Sequence, residues 1–225
     1  MTVAVYLEVG TKRVFAGAID WPGWCRSGRT EADALASLIA YGDRYGRAVG
    51  VVDPAFASSD GTAGIEVVER LPGDATTDFG APSQAHSADG RSLDDAGLRR
   101  QLGLLEASWM ALDAAAASAR GVELRRGPRG GGRELDAILE HVANAEVAYL
   151  ARIGAKVPPA APGNARDHLE RERDAVREAL AAAAHGLPPA MPARSGARWT
   201  PRYFVRRAAW HVLDHAWEIE DRVIR

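Results

Sequence analysis

The chain has 225 residues, 47% of them hydrophobic, and its 28 Lys+Arg are nearly matched by 30 Asp+Glu, for a formal net charge of -2. Length and apolar content suffice for one large or two small domains with a buried core, but the charge balance lacks the basic field that nucleic-acid binding requires, so no nucleic-acid partner is expected. A single cysteine, Cys25, excludes an internal disulfide framework and any cysteine-rich zinc module.

In chain order, "VAVYLEV" (3–9) and "RVFAGAI" (13–19) alternate as strands and are joined by a short connection containing Gly10, which suits a hairpin. "WPGWCRSG" (21–28) adds turn residues and a third short strand. Thr30 and Asp33 then form a capping-box pattern ahead of a helix whose apolar positions include Ala34, Leu35, Leu38, Ile39 and Tyr45. "AVGVV" (48–52) and "GIEVVERL" (64–71) are candidates for further strands. The stretch up to residue 90 turns to Pro, Gly, Ser, Thr and Asp without apolar period and reads as an exposed linker.

Beyond it the period changes from two to helical. Leu98, Leu102, Leu105, Trp109 and Leu112 form one stripe, opened by Ser92 and closed by Gly121. A second stripe carries Ile138, His141, Val142, Ala145 and Tyr149. A third starts at an Asn164 cap, presents Leu169, Val176 and Leu180, and stops at Gly186. The last begins with Thr200 as cap and Pro201 at the first helical position, where a missing amide hydrogen does no harm. The expected fold is an α+β N-terminal domain over 1–71, a small antiparallel sheet with one helix. A linker over 72–90 leads to an all-α antiparallel four-helix bundle over 91–225. The chain opens without a basic segment followed by a long apolar one, and no window approaches the ~20 apolar residues of a membrane span. A cytoplasmic protein without membrane contact is expected.

The chemistry lies in the histidines. His211 and His215 share the inward stripe of the last helix with Phe204, Ala208, Val212 and Ile219, and His141 sits within the apolar stripe of the second. An i, i+4 pair alone is a weak motif, but three imidazoles on inward stripes are costly to bury unless something satisfies them. Three imidazoles from two helices suit a divalent zinc, nickel or iron ion with positions left open for water or substrate. His86, His168 and His185 read as solvated. Asp214 and Glu218 each lie three residues from a histidine and could orient a ring. Trp210 and Trp217 could line a pocket or belong to the core. Arg206 and Arg207 could receive an acidic group or stand in solvent. Cys25 reads as a packed residue rather than a nucleophile, and "GPRGGG" (127–132) as a connection beside the site, since it lacks the lysine and hydroxyl of a phosphate loop.

"GGRELDAILEHVANAE" and "TPRYFVRRAAWHVLDHAWEIEDR" resemble the two signature segments of the DinB-like (DinB/YfiT) superfamily, over about residues 90–225. That resemblance implies a metal-binding bundle in which His141, His211 and His215 are the ligands. It also implies metal-dependent transfer chemistry on a low-molecular-weight thiol: bacillithiol, mycothiol or glutathione. The heavy use of Arg, Ala and Gly against scarce Lys is a coding bias that favours mycothiol. Residues 5–45 resemble the HicB-like antitoxin fold, with its Pro-Gly-Cys present in expanded form at Pro22, Gly23, Trp24 and Cys25. The DNA-binding segment of true antitoxins has no counterpart, which leaves an interaction or oligomerisation module. The leading expectation is a thiol-dependent S-transferase or isomerase acting on a small molecule, with a homodimer through either part as a possible assembly. A metal-dependent hydrolase and a non-catalytic metal- or ligand-binding regulator are the alternatives.

Overall fold

The computed structural model describes residues 2–54, 56, 64–126, 132–155, 165–191 and 198–224, the side chains of 165–168 excepted. Residues 127–131 of the Gly-rich connection, the expected cap Asn164 and the side chain of His168 lie outside the described residues.

Strands β1 (Val3–Val9), β2 (Val14–Ala18) and β3 (Cys25–Gly28) form an antiparallel meander. Helices α1 (Glu31–Ala40) and α2 (Gly42–Val49) follow, then β4 (Ile65–Pro72). The Thr30 hydroxyl accepts from the Asp33 amide and the Asp33 carboxylate from the Thr30 amide, the reciprocal cap the sequence predicts for α1. The sheet order is β3-β2-β1-β4, and β4 runs parallel to β1. The sheet is therefore mixed where an antiparallel one was expected: a helical crossover between strands returns the chain to the same end of the sheet. Two further expectations are corrected. One helix becomes two, separated at Tyr41, and the apolar run at 48–52 ends α2 and turns instead of adding a strand.

The segment read as an exposed linker is laid against the sheet. After the short α3 (Ala75–Phe79), the backbone amides of Ser83 and Gln84 donate to Glu8, a buried carboxylate of β1, at 2.9 and 3.0 Å. A buried charge needs such donors, and this polar stretch supplies them. A 3-10 turn at Ser87–Gly90 then leads to four long helices, α4 (Asp95–Ser118), α5 (Leu135–Arg152), α6 (Ala165–Ala184) and α7 (Pro201–Arg222). Asp94, and not Ser92, caps α4. Thr200 caps α7 by accepting from the Tyr203 amide, with Pro201 in the first turn.

Leu105, Trp109, Ile138, Val142, Val176, Leu180, Phe204 and Val212 meet in the bundle core. A second core joins Val5, Leu7, Leu38 and Tyr45 of the sheet unit to Leu104 and Ala107 of α4 and to Leu213 and Trp217 of α7. Every residue of α7 from Tyr203 to Leu213 is buried, because the helix is held by the bundle on one side and by the sheet unit on the other. No described helix is long and apolar enough to cross a membrane.

Candidate metal centre

His211 and His215 stand one turn apart on α7, and His141 faces them from α5. One ring nitrogen from each lies within 4.8 Å of the others, and the ring centroids are 4.7 to 5.1 Å apart. Nε2 of His211 is 3.2 Å from Nε2 of His141. His211 and His215 are buried and His141 is half-buried.

Protonation decides what these nitrogens can do. Burial, then the neighbouring His215 and Arg207, hold His211 well below the usual imidazole range. Burial, then Arg133, lowers His141. Both rings are therefore neutral near pH 7 and each offers a lone pair. The two facing Nε2 atoms either share one proton or direct both lone pairs at a cation. Ligand bonds of about 2.0–2.1 Å in a tetrahedral arrangement put nitrogen atoms about 3.3–3.4 Å apart, close to the observed 3.2 Å. Nδ1 of His215 is 2.8 Å from Oε2 of Glu218, which leaves Nε2 of that ring for the cluster. Glu218 is itself held by Arg222 at 2.8 Å. A carboxylate behind the distal nitrogen of a ring is the usual support of a metal-ligating histidine. The donor set thus fits a divalent transition metal.

The other candidates separate cleanly. Glu218 touches the cluster. Asp214 pairs with Arg26 of β3 at 2.8 Å and turns away from the histidines. Trp217 packs in the sheet-unit core and against Tyr41, with Arg26 over its ring. Trp210 packs on Phe15 and Cys25, although its edge borders His211. Arg206 is buried in the interface: it donates to the Tyr6 hydroxyl at 2.6 Å and to the Gln84 carbonyl at 2.9 Å, and it pairs with Asp89. His86, expected in solvent, is buried beside Tyr6 and 3.3 Å from Asp89, and burial lowers it to about 4. His185 is exposed as expected, near Asp95. Burial raises the Cys25 thiol to about 12, so at neutral pH it is no nucleophile.

Sequence reasoning named Trp210 beside the site but not Tyr149 or Trp199. Tyr149 lies 5.9 Å from His211 and 5.2 Å from Trp199, ring to ring. Tyr149 stands two turns beyond His141 on the same stripe, and that spacing was the available signal. A cavity of about 580 Å³ opens between α6 and residues 187–190, 198 and 199, with Trp199 in its wall, but none of the three histidines lines it.

No curated protein and no solved structure matches the chain. Residues 104–219, just over half of the chain, match the DinB superfamily. The matched span begins inside α4, ends near the close of α7 and contains all three histidines. Family and geometry meet on the same side chains, His141, His211 and His215, and the chain belongs to the DinB superfamily.

Proposed function

We propose that the protein is a metal-dependent enzyme that activates a low-molecular-weight thiol, of the mycothiol type, for transfer to or isomerisation of a small electrophilic substrate. The observation that supports this reading best is the set of three convergent, mostly buried imidazole nitrogens, backed by Glu218 and Arg222, with no fourth protein ligand among the described residues. Zinc, nickel and iron all suit such nitrogens. A divalent cation there supplies Lewis acidity, which lowers the pKa of a thiol or a water in an open position. The chain's own side chains do the remaining work. Glu218 fixes the ring of His215, burial keeps His211 and His141 unprotonated, and Tyr149 and Trp210 exclude water from one side of His211.

In this reading the HicB-like part is a buttress for α7 rather than a free interaction module, since Arg206, Trp210 and Trp217 are taken up in contacts with it. The test is elemental mass spectrometry on tag-free protein beside His211→Ala, followed by turnover assays with and without mycothiol. About one transition metal per chain, lost in the variant, with thiol-dependent turnover, is the expected result. Turnover without thiol would move the assignment to a hydrolase built on the same ion. Protein that stays empty after incubation with zinc, nickel and iron would leave a non-catalytic binding protein.

A further inference from the structure

Arg207 is a buried cation for which the described residues provide no paired anion. It is 9% exposed, and its Nη1 is closed off from solvent without a hydrogen-bond acceptor. The other arginines of α7 are engaged: Arg202 donates to the carbonyls of Arg91 and Ser92, Arg206 pairs with Asp89, and Arg222 pairs with Glu218. The guanidinium of Arg207 instead rests on aromatic faces, 4.6 Å from the centroid of Trp210 and 5.2 Å from that of Tyr149. Those same two rings border His211, and Arg207 precedes His211 by one helical turn.

Cation-π contact offsets part of the penalty of burying a guanidinium, but ring faces accept nothing from its N–H edge. Elsewhere in this chain the buried arginines find carboxylates, Arg206 at Asp89 and Arg173 at Asp113. Here no described carboxylate pairs with Arg207, and Glu218, the anion beside the histidines, is already held by His215 and Arg222. A buried guanidinium without a described anion beside it favours a ligand that brings a negative charge. A guanidinium fork meets a planar carboxylate in its own plane, through N–H groups that ring faces do not satisfy.

We propose that Arg207 is the anchor for a carboxylate on the small molecule that enters the three-histidine centre. This rests on the reading of that centre as a ligand site, and it narrows the substrate or cosubstrate to a small organic acid. The carboxylate completes the hydrogen bonding of Arg207 while the rest of the molecule reaches past Tyr149 and Trp210 toward the histidines.

The test is calorimetric titration of benzoate into zinc-free and zinc-loaded protein, with neutral benzamide as control, for wild type, Arg207→Gln and Arg207→Lys. Wild type is expected to bind benzoate and not benzamide. Arg207→Gln should weaken benzoate about tenfold or more in both forms, and Arg207→Lys, which keeps the charge and loses the fork, should weaken it less. Both variants should retain wild-type zinc content, because Arg207 is not a ligand and pairs with no described carboxylate. Equal benzoate affinity in wild type and Arg207→Gln, no benzoate binding by wild type, or tighter binding of inorganic phosphate than of benzoate would overturn the assignment. The two readings fail separately. Arg207-dependent binding to protein that never takes zinc removes the metal alone, and normal zinc uptake with benzoate binding indifferent to Arg207 removes the anchor alone.

Discussion

Glu218 holds His215 and Arg222 at once: its Oε2 lies 2.8 Å from His215 Nδ1, and its Oε1 accepts from Arg222 Nη1 at 2.8 Å. The hydrogen bond to His215 keeps the carboxyl below its usual range, so it is an anion at neutral pH. An anion there fixes the tautomer in which Nδ1 carries the proton and Nε2 is free to ligate. Glu218→Gln keeps size and loses that preference. It is expected to weaken zinc binding about 10- to 100-fold with little change in the melting temperature of the metal-free protein. Competition with a chromophoric chelator measures the affinity, and an unchanged value would mean that Glu218 only supports Arg222.

The three ligands come from two helices, so an ion held by them ties α5 to α7. Ligand binding to the folded state alone stabilises by about 2.7 kcal/mol at a free concentration one hundred times the dissociation constant. For a chain of this length that is a rise of about 5–10 °C in melting temperature. Zinc should produce such a rise in wild type and none in His141→Ala or His211→Ala. A rise of equal size in either variant would place the ion elsewhere.

The parts of this molecule that local chemistry dictates were legible in the sequence. The Thr30 and Thr200 caps, Pro201 in the first turn of α7 and the inward stripe bearing His141 follow from neighbours within four residues. What could not be read depends on partners distant in sequence. Arg206 reads as a surface residue until Asp89 and Tyr6, 117 and 200 positions away, are seen to meet it. Residues 72–90 read as linker because their polar composition hides that the amides of Ser83 and Gln84 satisfy Glu8. For Trp210 and Trp217 the sequence leaves pocket and core both open, and the sheet unit, which packs on them, makes them core.

That sheet contact should be energetically separable from the metal. Arg206→Met would leave Asp89 buried with its principal cation gone and the Tyr6 hydroxyl without its donor. Removing one member of a buried ion pair typically destabilises by about 3–5 kcal/mol. Arg202→Met loses only hydrogen bonds to the carbonyls of Arg91 and Ser92 near the surface, and should fall within about 0.5 kcal/mol of wild type. Urea denaturation of the two variants gives the comparison, and zinc content should be wild-type in both. A loss below about 1 kcal/mol for Arg206→Met would show that the buried Arg206–Asp89 pair does little to hold the sheet unit on α7.

The bundle core contains a second titratable feature, Glu146, whose Oε1 accepts from Trp109 Nε1 at 2.7 Å and whose Oε2 has no partner. Burial raises this carboxyl from its ordinary value near 4.5 to about 7, against the opposing pull of Trp109. Between those two values the folded chain keeps a proton that the unfolded chain has released, so stability falls as the pH rises through this window. Glu172, raised to about 8 by burial and then by Glu146, acts in the same direction. His86 opposes them on the acid side. Lowered to about 4 by burial, it stays neutral in the fold while the unfolded chain takes up a proton, and stability is lost as the pH drops below about 6.5. Glu146→Gln retains an acceptor for Trp109 and cannot ionise. Its stability relative to wild type should be near zero at pH 4.5, grow in favour of the variant with rising pH, and level off above about pH 7. Urea midpoints for both proteins across that range give the difference directly, and one that does not vary with pH would show that Glu146 ionises in the fold as readily as in the unfolded chain.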